Sequence, residues 1–227
     1  MRLDGVFHGV RRFPEYYEGM NAPQQERQAA HQTGIFINYG GVMRKLKLQM
    51  QITVDGFVAG PEGQLDWMTW DMDEGLISFI NHLTDTSDTI LLGRNMTDGF
   101  IKYWEHVITQ PNSPEYSFGQ KMVNIPKVVF SNTVARVDGQ NVRVENGPIV
   151  EAVKLLKSHT GKDMIVYGGA TFVSSLIENG LIDELNFFVN PVAIGEGMRV
   201  FGSRRPLKLT ASTDYACGIV VNTYEPQ

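Results

Sequence analysis

Between Lys45 and Val189, short apolar runs alternate with stretches of helical period, and this alternation constrains the fold more than any other feature. The strand-like runs are 45–54, 89–92, 127–130, 141–144, 164–167 and 184–189. The helix-like runs are 73–83, 97–104, 117–124, 148–159 and 171–179. The first run shows its period openly. Leu46, Leu48, Met50 and Ile52 alternate with Lys45, Lys47, Gln49 and Gln51, the mark of a half-buried strand. Strands that alternate with helices build a mainly parallel sheet with helices on both faces. The last stretch, PLKLTASTDYACGIVVNTYEP, reads as a β-hairpin that adds antiparallel strands at one edge. The expected fold is therefore an α/β three-layer sandwich around a mostly parallel sheet.

The chain has 227 residues, enough for one sizeable core and a tight fit for two domains. The regular pattern begins at Met43. Residues 1–42 are polar and aperiodic, as in MNAPQQERQAAHQTG, and MRLDGVFHGVRRF lacks the apolar core of a signal peptide. They are expected to be a disordered or non-native extension, with a helix packed on a partner as the alternative. The working domain is expected to span 43–227. A net charge of −5 argues against a nucleic-acid binder. No apolar run approaches the roughly 18 residues of a membrane span. A single cysteine, Cys217, precludes an internal disulfide framework and fits a reducing cytoplasm.

The chemistry concentrates where strands hand over to helices. In IVYGGATF an apolar strand stops at Gly168-Gly169, and a helix follows through Ala170 and Thr171. In an open α/β sheet, ligands sit beyond the carboxyl ends of the strands. A helix starting there offers unpaired N–H groups to an anion, and glycines let the backbone come close. Thr171 can cap the helix or meet a phosphate oxygen. The segment ILLGRNMTDGF repeats the pattern with Gly93, Arg94, Asn95 and Thr97, and an arginine there suits bidentate pairing with phosphate. The segment KVVFSNT does so again with Ser131 and Asn132. Each alone is also ordinary turn chemistry. Three in order suggest one long anionic ligand across the sheet edge, and a dinucleotide would fit. No G-x-G-x-x-G follows the first strand, no P-loop is present, and no His/Cys cluster has metal spacing. A zinc deaminase signature is absent as well.

The segments ITVDGFVAGPEGQLDW, ILLGRNMTDGF, VVFSNT, IVYGGATFVSSLIENGLIDEL and PVAIGEGMRVF together resemble the dihydrofolate reductase superfamily. They resemble most its branch with the reductase domain of riboflavin biosynthesis, the RibD C-terminal domain. The resemblance covers nearly all of 43–226. It implies a dihydrofolate-reductase-like sandwich that uses NADPH. On it, Gly93, Arg94, Asn95 and Thr97 fall on the first phosphate loop. Ser131 and Asn132 fall near the adenosine 2′-phosphate, and Gly168, Gly169, Ala170 and Thr171 fall on the pyrophosphate loop. The glycine-bearing loop from Asp55 to Gly63 would cover nicotinamide and substrate, with Phe57, Val58 and Ala59 toward the cofactor ring.

Trp67 and Trp70 offer flat faces to a heteroaromatic substrate, or to the core. Hydride reduction also needs a proton, and a carboxyl in a dry pocket can supply it. Candidates are Asp55, Asp66, Asp71 and Asp73. Asp66 beside Trp67 is the expected proton source, and Asp55 and Trp67 the expected substrate contacts. Asp71, Asp73 and Glu74 also suit the first turn of a helix, with Asp73 a reasonable cap. Folate-reducing members carry a single acid on this helix, whereas Met72 stands here between Asp71 and Asp73. The reaction implied is hydride transfer to a pterin-like or ribosylaminopyrimidine-like substrate. Dihydrofolate reduction and a non-catalytic nucleotide-binding role are the alternatives. Lys121 and Arg199 are possible partners for a substrate phosphate or ordinary surface charge. The stretch from Pro191 to Gly197 reads as structural, or as substrate lining. A homodimer through the C-terminal hairpin is expected, because sheet edges invite pairing.

Overall fold

The computed structural model describes residues 43–227. The expectation about residues 1–42 lies outside the described residues. The strands are β1 (Leu46–Thr53), β2 (Ser87–Gly93), β3 (Lys127–Phe130), β4 (Val142–Glu145), β5 (Asp163–Val166), β6 (Glu184–Asn190), β7 (Leu207–Asp214) and β8 (Val220–Pro226). The helices are α1 (Glu74–Asp85), α2 (Arg94–Val107), α3 (Tyr116–Asn124), α4 (Ile149–Ser158) and α5 (Ala170–Glu178). One eight-stranded sheet has the order β4-β3-β2-β5-β1-β6-β8-β7. Strands β1 to β6 pair in parallel, β8 runs antiparallel to β6, and β7 antiparallel to β8. This is the dihydrofolate-reductase-like three-layer sandwich with its C-terminal hairpin.

The chain steps from β1 through β2 and β3 to β4 in one direction, then returns through β5 to β6. Right-handed crossovers put the helices of the two legs on opposite faces. Leu76, Ile80 and Leu83 of α1 and Met122 of α3 pack with Ile90, Leu92, Val129, Ile165 and Phe188 of one face. Leu46, Leu48 and Met50 alternate to the other face, where α4 and α5 bury Val153, Leu156, Val173 and Leu176. On the first face β1 carries Lys47, Gln49 and Gln51, and the sheet is correspondingly polar there.

Two boundaries differ from the sequence expectation in a way that shapes the site. The helix α2 begins at Arg94, not Thr97, because Gly93 ends β2 in extended conformation and the chain turns at once into the helix. The helix α5 begins at Ala170, because Gly169 completes the turn with φ 84°. Thr171 therefore lies inside the first turn and is not the cap.

Candidate functional site

Parallel pairing brings the carboxyl ends of β3, β2, β5, β1 and β6 to one edge in that order. From β3 to β1 is three strand spacings, about 14 Å. The helices after β1 and β5 leave toward opposite faces, which opens a crevice between these neighbouring strands.

The glycine pair sits at the centre of this edge. Gly168 and Gly169 hold φ of 153° and 84°. A Cβ on either would meet only Met50, Met96 and Phe172 side chains at 3.6 Å or more. Backbone conformation, and not crowding, requires glycine here. No side chain caps α5, so its first amides are unclaimed by a cap and face the edge. Ala170 is half-buried and Thr171 exposed. Gly93 is glycine for a different reason. A Cβ there would stand 2.6 Å from Phe172 Cβ, so the end of β2 and the start of α5 touch only because this side chain is absent.

Arg94 opens α2 with its guanidinium in a two-point pair with Asp98, Nη1 to Oδ1 at 2.9 Å and Nη2 to Oδ2 at 3.1 Å. Asn95 is exposed beside it. Thr97 is wholly buried and its hydroxyl donates to the Gly93 carbonyl at 2.9 Å, so it shapes the loop from within. Ser131 is buried, and its Oγ accepts from the Thr133 and Val134 amides, both at 3.2 Å. Asn132 projects from that turn into solvent. Asn146 braces the turn by donating to the Ser131 and Val134 carbonyls.

The loop after β1 is pinned by residues 191–198. The Val54 amide donates to Val192 O, the Val58 amide to Met198 O, and the Met198 amide to Ala59 O. The Asp55 carboxylate accepts from the Thr53 hydroxyl at 2.6 Å, the Gly195 amide at 2.8 Å and the Ile194 amide at 3.1 Å. The Thr53 hydroxyl, with the Gly195 and Ile194 amides, holds this carboxyl below its usual range. Asp55 thus spends its oxygens on tying two loops together. Phe57, Val58 and Ala59 are buried under the joint, and the Arg199 guanidinium lies 4.1 Å from the Phe57 ring centre. Residues 192, 194, 195 and 198 supply the bonds that hold this loop.

The acids fall otherwise than a buried proton donor requires. Asp66 is exposed, so the dry pocket expected around a proton donor is absent at that position. Trp67 is half-buried, with its indole N–H donating to Gln64 O, and Trp70 is 70% exposed. Asp73 caps α1 by accepting from Leu76 N, and its second oxygen accepts from Cys217 N. Those two amides hold its carboxyl low. Lys121 pairs with Asp85, where α1 ends before β2 starts, on the opposite edge of the sheet.

Two positions at this edge escaped the sequence reading. Asn190, fully buried at the end of β6, donates to Gln51 Oε1 at 2.7 Å and accepts from the Thr69 amide at 2.9 Å. It fixes the segment bearing Trp67 and Trp70 against the sheet. A polar residue closing the apolar run ELNFFVN was the available signal. Tyr167, next to the glycine pair, stacks on Phe100 and shares a hydrogen bond with Thr84 at 3.1 Å. Burial pushes its phenol up to about 12.

Comparison with known proteins adds an independent line. The family model of the RibD C-terminal domain matches residues 44–221. The uncharacterized Bacillus subtilis protein YyaP is 34% identical over 186 residues, covering 80% of this chain and 94% of the relative. The diaminohydroxyphosphoribosylaminopyrimidine deaminase/5-amino-6-(5-phosphoribosylamino)uracil reductase of Thermotoga maritima shares the fold with a TM-score of 0.58 at 16% identity, over 89% of this chain and 62% of that one. Dihydrofolate reductase from Enterococcus faecalis, complexed with NADP(H), does so with a TM-score of 0.51 at 16% identity, over 81% and 96%.

Proposed function

The chain belongs to the RibD C-terminal domain family, and from that premise we propose that it is an NADPH-dependent reductase of a pterin-like or ribosylaminopyrimidine-like substrate. The observation that carries this reading is the convergence on one edge of three strand-end loops, after β3, β2 and β5, the last of them bearing the left-handed glycine pair. The α5 amides and Thr171 would hold the pyrophosphate, and Arg94 and Asn95, together with Ser131 and Asn132, would hold the adenosine ribose and its 2′-phosphate. Bound there, the nicotinamide supplies the hydride. Val58 and Ala59 would line its ring, and Asp55 would keep their loop closed over it by its bonds to residues 194–195. Asp66 and Trp67 would meet the substrate, with the proton passing through Asp66 or through water beside it.

A non-catalytic nucleotide-binding role is the second reading, favoured by the exposure of Asp66 and the capping role of Asp73. A cytoplasmic homodimer joined through the β7–β8 hairpin completes the proposal. No helix among the described residues is long and apolar enough to cross a membrane. The test is steady-state oxidation of NADPH against a panel of pterins and ribosylaminopyrimidines, with Asp66→Asn and Gly169→Ala alongside. Turnover that Gly169→Ala weakens through the cofactor KM supports the reductase. Saturable nucleotide binding without turnover on any member supports the second reading.

A further inference from the structure

We propose that Asp98 sets how strongly this edge prefers a nucleotide bearing a 2′-phosphate, by holding the Arg94 guanidinium in a neutral pair. This rests on the reading of the edge as a nicotinamide dinucleotide site. The strands follow one another as β1, β5, β2, β3. A dinucleotide with its nicotinamide at the β1 loop and its pyrophosphate on Gly168-Gly169 carries its adenosine to the ends of β2 and β3. NADPH and NADH differ there by one phosphate. Cations recognise such a group, arginine best of all through its fork of N–H donors.

The structure places Arg94 there with its Nη1 and Nη2 ends engaged by the two Asp98 oxygens. The other arginines of β4 and the β3–β4 connection each have one carboxylate nearby, and the buried Arg143 Nε has no hydrogen-bond partner among the described residues. Arg143 Nη1 lies 3.5 Å from Glu145 Oε2, and Arg136 Nε lies 3.5 Å from Asp138 Oδ1. Lys127 opens β3 at the opposite edge of the sheet. An incoming 2′-phosphate therefore competes with a carboxylate for two of the Arg94 N–H groups, and it meets the repulsion of that nearby carboxylate when it takes any of the other three. The ribose hydroxyl of NADH meets no such opposition. Arg94 and Asp98 side chains are 34% and 52% exposed, so the exchange is open to solvent and the pair is partly screened. Preference for NADPH is thus modest, and its size is governed by a residue that touches no ligand. Asp98 is a positioning residue in this sense.

Dissociation constants for NADPH and NADH, read by nicotinamide fluorescence at low salt, test this in wild type, Asp98→Asn, Arg94→Ala and the double variant. Wild type is expected to favour NADPH by a few-fold. Asp98→Asn is expected to raise that ratio about three- to fivefold, the upper range for release of an exposed ion pair, while NADH affinity moves by less than about twofold. Both variants lacking Arg94 are expected to bind the two nucleotides alike. A merely structural role would weaken both nucleotides together and leave the ratio where it was. An unchanged or lowered ratio in Asp98→Asn overturns the proposal while leaving the dinucleotide site standing. Failure of wild type to bind either nucleotide removes the site and the proposal together. A thermal melt of Asp98→Asn confirms that the exposed substitution leaves the fold intact.

Discussion

Gly197 shows how much one hydrogen atom can decide. Its φ is 159°, and a Cβ there would stand 2.2 Å from the Ala59 carbonyl oxygen. Backbone cannot yield as a side-chain tip would, so the two loops must part. Gly197→Ala is expected to cost about 2–3 kcal/mol, the range of overpacking in a closed site. Urea denaturation measures the loss, and faster amide exchange at Met198 locates it. The Asp55 and Asp73 carboxyls define a second prediction. Both are held below their usual range, so their contribution is complete above an ordinary carboxyl pKa of about 4 and is lost as pH falls through the lower folded values. The Gly195 and Cys217 amides are expected to lose protection together below about pH 4, whereas Asp55→Asn should expose Gly195 already at neutral pH. Exchange followed from acid to neutral pH distinguishes the two.

Among the elements, β3 begins on an unusual support. Lys127 is buried, and its ammonium donates to Val123 O at 2.9 Å and Ile125 O at 2.8 Å, the carbonyls at the end of α3. Burial pushes this group down to about 8, with the Glu105 charge opposing. Between about 8 and the usual 10.5 the unfolded chain binds the proton that the folded chain has released. Stability should therefore rise with pH across that window, by at most about 1.4 kcal/mol per pH unit. Tyr103 and Tyr167 act in the opposite sense. Their phenols are pushed up to about 12, so above about pH 10 the unfolded chain ionises first and stability falls. Chemical denaturation at a series of alkaline pH values is expected to show a maximum between these limits. Lys127→Met should lose the rising limb and keep the falling one.

For the whole molecule, the open question of assembly centres on β7. Among the described residues it is paired on one side only, by β8, and nearly all its residues are exposed, with Leu209 at 52%. Unpaired N–H and C=O groups along such an edge attract another strand unless something blunts it. If the proposed homodimer uses this hairpin, Leu209→Lys is expected to shift the protein to monomers in sedimentation experiments. The sheet order keeps the proposed nucleotide edge intact in that variant, so the NADPH affinity proposed for it should be unchanged. A wild-type protein that sediments as a monomer at all accessible concentrations would remove the dimer.

The architecture was legible in the chain because it follows from periodicity, a local property. Alternation at Leu46–Ile52, the apolar run before Gly168-Gly169 and the polar-patterned hairpin after Pro206 each name their element from a few neighbours in the chain. The expected strand runs lie within two residues of those formed, and the glycine, arginine and serine positions all reached one edge. What the sequence left open depends on contacts between residues far apart in the chain. Asp55 and Asp66 are both acids in one loop. Only folding sets the first against residues 194–195, some 139 positions away, and leaves the second in water. Arg94 reads in the sequence as an anion ligand, and only the start of α2 at residue 94, one turn before Asp98, gives it a carboxylate partner of its own. Charge and hydrogen-bonding capacity are written in the sequence. Whether a group spends them on a ligand or on its own protein is decided by which partners the tertiary structure brings within about 3 Å.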